Sequence, residues 1–254
     1  MHRFTMKKYL ILGITLLFIA SCTPKRWMLT DYKSYKIPID STLNSIADKG
    51  MAAYIAPIKQ HLDGEMNQVI GESVQEMRSG KPESLLSNWN ADVYRESGAD
   101  FLKQPVDLAV INMGSLRSSI PKGKLTVGNI FEQMPFENEL VVLWLKGSEV
   151  NKLLQIFALE GGQGVSGVRF EIKDKKAVNI TINGQPLNEE KTYIIATNDY
   201  LAAGNDRMTP LTNHTKRVET GWKIRNILME KVIRETRKGN KIQSALDGRI
   251  KISQ

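Results

Sequence analysis

The sequence predicts an α+β fold, and three features carry that prediction. Val150, Leu153, Leu154, Phe157 and Ala158 recur at helical spacing, which places one apolar stripe along an amphipathic helix. Short β-rich apolar runs, Asp107–Asn112, Leu140–Leu145 and Tyr193–Thr197, have the length and composition of buried strands. Asn183-Gly184, directly after the strand-like run Val178–Ile182, is a hairpin-type turn. Long helices, hairpins and buried strands mixed along one chain give α+β in a single domain.

The elements follow in order. Asp40-Ser41-Thr42 has the chemistry of a helix cap, and apolar Leu43, Ile46, Met51, Ala52, Ile55 and Ile58 come after it. That helix should stop near Asp63-Gly64, a turn pair, before a candidate strand at Met66–Ile70. Gly80–Pro82 is a break, and Leu85–Tyr94 reads as the next helix. After the strand Leu140–Leu145, Ser148 is placed to cap the helix carrying the Val150–Ala158 stripe. Val168–Ile172 is a further strand. Trp222, Ile224, Ile227, Leu228, Val232 and Ile233 fit a last long helix, and Arg249–Ile252 an edge strand.

The 254 residues, 41% apolar and 24% charged, have the composition of a folded globular chain with room for a sizeable core. The first residues stand apart from it. Arg3, Lys7 and Lys8 precede an apolar run from Tyr9 to Ala20, and small residues then lead to Cys22. This is a secretory leader over residues 1–21, too short and wrongly flanked for a membrane span. Ile19-Ala20-Ser21-Cys22 resembles a bacterial lipobox, in which the cysteine thiol is lipidated and becomes the new N-terminus. Cys22 is the single cysteine, so no intramolecular disulfide forms. The expected mature protein is an envelope lipoprotein with a polar tether over residues 22–38 and a domain over 39–254. Removing the leader leaves 32 Lys+Arg against 27 Asp+Glu, a net charge of +5 instead of +8. So mild an excess gives no reason to expect nucleic acid; an anionic ligand or a membrane surface fits it equally well.

The hydrolytic signatures are missing. His61 and His214 are the two histidines beyond the leader, and neither lies in a DxH, HxH or HExxH arrangement. A two-metal centre needs several nitrogen and carboxylate ligands about ions roughly 3.5–4 Å apart, and the sequence offers no such set. No GxSxG elbow is present. The Gly161–Gly167 stretch, GGQGVSG, lacks the Lys-Ser/Thr of a phosphate-cradling loop and follows a helix, so it reads as a helix C-cap and loop.

The informative stretches are Asn112-Met-Gly-Ser-Leu-Arg117, Gly123-Lys-Leu-Thr126, Met134-Pro-Phe-Glu-Asn138 and Leu145-Lys-Gly-Ser-Glu149. Asn198-Asp-Tyr-Leu-Ala-Ala-Gly-Asn-Asp206 and Asp247-Gly-Arg-Ile250 come after them. In this order they resemble the C-terminal domain of 5′-nucleotidases, whose motifs read NGGGIR, G-x-[IL]-[TS], LPFGN or LPFEN, x-[TL]-G-x-E, [NT]-[DN]-F-[LM]-A-x-G-G-D and [DE]-G-R-[IV]. The resemblance runs from about residue 40 to the end and implies a mixed sheet with packed helices around a nucleotide pocket. It implies that Phe136 and Tyr200 sandwich the base, each contact worth ~1–3 kcal/mol and tolerant of base identity. It assigns Asn112 to the base edge, Arg117 to the sugar-phosphate and Asp206 to the ribose hydroxyls. Taken singly, Phe136 reads better as a core aromatic after a proline turn, and Tyr200 reads equally well as a loop tyrosine covering the core; together, in these motifs, they read as a base clamp.

The departures are specific. Met113 and Ser115 replace two glycines, Asn205 replaces another, and Tyr200 replaces phenylalanine. Pro82 stands where the family has an arginine, a role Lys81 or Arg78 could take over. The family's metallophosphoesterase domain has no counterpart in this sequence. The resemblance therefore implies the substrate-recognition part of a split hydrolase, with no catalytic residue and no cofactor of its own and with divalent metals on a separate metallophosphoesterase chain. The alternative is a non-catalytic nucleotide-binding or structural envelope lipoprotein.

Overall fold

The computed structural model describes residues 27–253. The expected leader and Cys22 lie outside the described residues. The chain divides into two units, residues 1–52 and 53–254. In the first, Asp40 caps a short 3-10 helix, Ser41–Ile46, its carboxylate accepting the Thr42 N–H at 2.9 Å. Helix α1, Lys49–Met66, crosses the boundary between the units and buries no side chain. It runs through the expected stop at Asp63-Gly64, where Lys59–Asp63 and His61–Glu65 pair one turn apart along its exposed surface.

The second unit contains three sheets. Strand β1, Val69–Ser73, pairs antiparallel with β3, Gly123–Thr126. Between them come helix α2, Leu85–Leu102, and strand β2, Leu108–Ile111. Helix α3, Val127–Gln133, leads to β4, Glu139–Lys146, and helix α4, Gly147–Leu159. Strands β5, Gly164–Ser166, β6, Val168–Lys173, β7, Lys176–Ile182, β8, Gln185–Pro186, and β9, Thr192–Asn198, follow. A one-turn helix α5, Asp199–Ala202, precedes β10, Lys216–Lys223, helix α6, Ile224–Arg237, and β11, Ile250–Ile252. The central mixed sheet has the order β10-β4-β9-β2-β5, and a smaller one β11-β6-β7-β8.

The central sheet is covered on both faces, which is why its inner strands read as continuous apolar runs. Along β2, Leu108 and Val110 enter one core with α4 and the smaller sheet, through Leu153, Phe157, Phe170 and Ile182. Ala109 and Ile111 enter the other, with α2 and α6, through Leu86, Tyr94, Ile224 and Leu228. Two-residue alternation thus divides one short strand between two cores.

Helix α2 starts at a capping box between Ser84 and Ser87 and continues two turns past Tyr94, because Ser97 and Gly98 are also buried. Ser148 does not cap α4. The helix begins one residue earlier, at Gly147, with Lys146 at the cap position and no side-chain cap bond. There the Gly147 and Ser148 N–H groups donate to Lys191 and Glu189 carbonyls. Trp222 belongs to β10, not to the last helix. Asn183 and Gly184 both have positive φ, as a two-residue hairpin turn requires.

Candidate functional site

Three strand ends meet at one edge of the central sheet. β2 and β9 run parallel and finish there, and β4, antiparallel to β9, begins there. Leu140 faces Asn198 across β4 and β9, so the residues preceding β4 and those following β9 emerge side by side. These are the Phe136 and Tyr200 segments, and β2 delivers Asn112 beside them. A cavity of about 310 Å³ opens at this edge, lined by Asn112, Gly114, Ser115, Phe136, Asn138, Asn198, Tyr200 and Asp206.

The rings present exposed faces. Phe136 is 40% and Tyr200 42% exposed, unusual for aromatics that close a core. Among the described residues the ring pair in contact is Phe101–Trp222, 5.3 Å between centroids, so Phe136 and Tyr200 are two separate walls. Each wall is held from behind. The carbonyl of Phe136 accepts from Arg225 Nη1 at 3.4 Å. Arg225 also pairs with Glu137 and lies over the Phe131 ring, 4.0 Å from its centroid. Tyr200 sits on α5, which Asn198 caps by accepting the Leu201 N–H at 2.8 Å. Asn205 Nδ2 donates to the Tyr200 carbonyl at 2.9 Å, and Gly204 takes φ +85° to turn the chain. Asn138 Nδ2 donates to Asp199 Oδ1 at 2.9 Å. That bond ties the segment carrying one ring to the segment carrying the other.

Polar groups converge between the walls. Asp206, at φ +52°, accepts from Asn112 Nδ2 at 2.7 Å through one oxygen and from the Tyr200 hydroxyl at 3.0 Å through the other. The hydrogen bond to Asp206 holds the Tyr200 phenol above its usual pKa, with the carboxylate's charge acting in the same direction. A carboxylate has about four acceptor positions, so Asp206 retains capacity for further donors. The Asn112 Oδ1 is buried without a hydrogen-bond partner, which costs ~1–3 kcal/mol unless a donor reaches it. The turn after Asn112 is fixed by Ser115 Oγ, 2.7 Å from the Asn112 carbonyl, and by Gln163 Oε1, which accepts the Met113 N–H at 2.9 Å.

Four of the five expected ligand-contact residues, Asn112, Phe136, Tyr200 and Asp206, therefore line one cavity. Arg117 does not. Its guanidinium reaches the carbonyl of Gly114 at 3.4 Å and is exposed, which places it next to the cavity wall. Lys81 and Arg78 are not in the lining either; Lys81 donates to the Glu160 carbonyl and Arg78 pairs with Glu76.

Ser115, Asn138 and Asn198 are the side chains added by the structure; Ser115 lies in the Asn112–Arg117 motif. Asn138 and Asn198 also lie in the motif stretches, and the cap position of Asn198 before a short helix was the available signal. The GGQGVSG stretch also does more than end a helix. Gly162, at φ +121°, lies where a Cβ would be 2.2 Å from the Pro82 carbonyl oxygen, and Gly164 opens β5 against Ile111. Gln163 between them supports the Asn112 turn.

Among the described residues, no group of three His, Cys, Asp or Glu is arranged to hold a metal ion. His214 Nδ1 lies 2.9 Å from the Leu211 carbonyl, and His61 is exposed on α1. The donor set does not fit a dinuclear centre, and no bond-breaking step is assigned to this chain. What the cavity offers is two flat apolar faces with amide and carboxylate groups between them, chemistry suited to holding a flat heterocycle with a hydroxylated substituent.

Comparison with known proteins identifies the family. Residues 64–213 match the family described as 5′-nucleotidase, C-terminal domain. The UshA protein of Yersinia enterocolitica is 28% identical over 186 residues, 69% of this chain and 32% of that protein. A 5′-nucleotidase of Vibrio vulnificus is 24% identical over 212 residues, 81% of this chain and 38% of that protein. Among solved structures, a 5′-nucleotidase precursor of Thermus thermophilus superposes with a TM-score of 0.67 at 29% identity, covering 80% of this chain and 42% of that one. The match thus covers 32–42% of the length of these three proteins. With the family match extending over more than half of its residues, the chain belongs to the 5′-nucleotidase C-terminal domain family.

Proposed function

We propose that this chain is the nucleotide-recognising part of a split 5′-nucleotidase-type hydrolase at the cell envelope. A separate metallophosphoesterase chain would supply divalent metals and the activated water. The observation that carries the reading is the cavity between Phe136 and Tyr200, its walls tied by Asn138–Asp199 and its interior holding Asn112 and Asp206. In this reading the base lies between the rings, Asn112 Oδ1 accepts from a donor on the base edge, and Asp206 accepts from the ribose. Arg117, outside the cavity lining and held at the Gly114 carbonyl, would have to turn from there to meet a phosphate at the rim. Cys22, lipidated, anchors the chain to the membrane.

Calorimetry with AMP, adenosine and UDP-glucose tests the binding half of this reading, and binding of none of them would end it. Phosphatase assays with Mg²⁺ or Mn²⁺ test the rest. The chain alone is expected to be inactive, and turnover is expected only on mixing with the exported metallophosphoesterase. Robust turnover by the pure chain would overturn the split. Nucleotide binding with no activity under any pairing would instead favour a non-catalytic nucleotide-binding lipoprotein.

A further inference from the structure

A second polar cavity, about 260 Å³, lies at the opposite end of β2. In the antiparallel β2–β5 pair Ile111 faces Gly164 and Ala109 faces Ser166. Ser166 and Gly167 therefore lie toward the start of β2, and Asn112 leaves its end. Arg95, Arg169 and Arg249 line this cavity with Asp92, Asp247 and Thr181.

The charges do not balance inside it. Arg249, buried, donates to Asp92 at 2.9 Å, to Asp247 at 3.0 Å and to the Val165 carbonyl at 2.7 Å. Arg169 takes the other oxygen of Asp247 at 3.0 Å. Both carboxylates are thus engaged. Arg95 is left with neutral partners, donating from Nε to the Val106 carbonyl at 2.9 Å and from Nη2 to Asn183 Oδ1. Among the described residues, no carboxylate oxygen comes within 4.0 Å of its nitrogens. Burial pushes the Arg95 guanidinium below its ordinary pKa, opposed by the charges of Asp92 and Asp107 and aided by that of Arg249. Arg95 is thus a half-buried guanidinium held by neutral acceptors, its charge without a direct ion pair.

We propose that this cavity is an oxyanion site that takes phosphate, free or as the head of a small phosphate ester, with Arg95 as its principal ligand. The outer Nη1 of Arg95 is uncommitted, and a guanidinium fork matches two phosphate oxygens. The Thr181 hydroxyl lines the same space as a further donor. The site is independent of the nucleotide cleft and does not rest on nucleotide recognition there.

The test is titration of the purified chain with inorganic phosphate at constant ionic strength, chloride making up the difference. Saturable heat is expected, with affinity lowered at least tenfold by Arg95→Gln and unchanged by Phe136→Ala. Absence of saturation overturns the proposal. So does phosphate affinity that survives Arg95→Gln and is lost in Phe136→Ala, since the anion would then occupy the nucleotide cleft. If Arg95→Gln fails to fold, Thr181→Val is the substitute: a loss of at least threefold supports the site, and unchanged affinity overturns it. Glycerol 3-phosphate separates the two sources. Binding tenfold tighter than inorganic phosphate assigns the cavity to an ester, and equal or weaker binding assigns it to the free anion.

Discussion

The two ends of β2 solve opposite problems with residues only a few positions apart. At one end, Asn112 enters a cleft walled by two rings, where amides and hydroxyls surround a single carboxylate. At the other, Ser166 and Gly167 border a cavity built of guanidinium and carboxylate groups. The first end keeps apolar surface exposed, which a core would hide. The second keeps charge half-buried, which water would hold better. Each retains a cost the fold alone does not require, and such retained costs are where ligand chemistry is read most directly.

The largest expected effect separates the ends by stability. Arg249→Met removes the group that joins Asp92, Asp247 and the Val165 carbonyl. Its expected cost is roughly 3 kcal/mol, by loss of charged hydrogen bonds from a buried position, read as a lower urea midpoint at unchanged slope. Nucleoside affinity of the folded variant should stay the same. A coupled loss at both ends would erase the distinction between them. Next come Phe136→Ala and Tyr200→Ala, each expected to weaken adenosine binding by ~1–3 kcal/mol while moving the urea midpoint little. Unchanged affinity in both would make these rings a surface feature only.

A second ionic cluster sharpens the same contrast. Near the end of α6, Glu235 has its pKa lowered from 4.5 to about 2, chiefly by the hydrogen bond from Asn240, with Lys231 and Lys238 assisting against burial. A carboxyl depressed in the folded state stabilises above its unfolded pKa and loses that contribution as pH falls through the folded value. The advantage of the native protein over Glu235→Gln should therefore be full above about pH 5 and decline from there toward pH 2. A difference independent of pH would show that packing, not charge, holds Glu235. The smallest effect is at the cleft. Tyr200→Phe releases one oxygen of Asp206 and should raise affinity for a ribonucleoside by roughly threefold, within the net worth of one hydrogen bond. Affinity for a 2′,3′-dideoxynucleoside should not change.

Legibility in the sequence followed burial. β2, β4 and β9 are covered on both faces and stood out as apolar runs. β10 did not, because its Lys-Arg-Val-Glu-Thr-Gly-Trp-Lys has one aliphatic residue and lies at a sheet edge, where charge discourages further pairing. β5 was hidden by Gly164, which serves close approach to Ile111 instead of strand propensity, and by the glycines that flank it. At the site, the ordered motifs located Asn112, Phe136, Tyr200 and Asp206. They could not show that Arg117 turns back to Gly114, since a long side chain's direction is set by local contacts and not by register. Nor could they show Arg95 without an acid partner, which emerges only when residues far apart in the chain are assembled.

The tie between Asn138 and Asp199 has a further consequence, one of time. Both walls of the cleft are fixed before any ligand arrives, and no segment must fold around it. Association should then be a single encounter, its observed rate rising linearly with ligand concentration and limited by orientation. Discrimination among ligands would appear in how long each one stays.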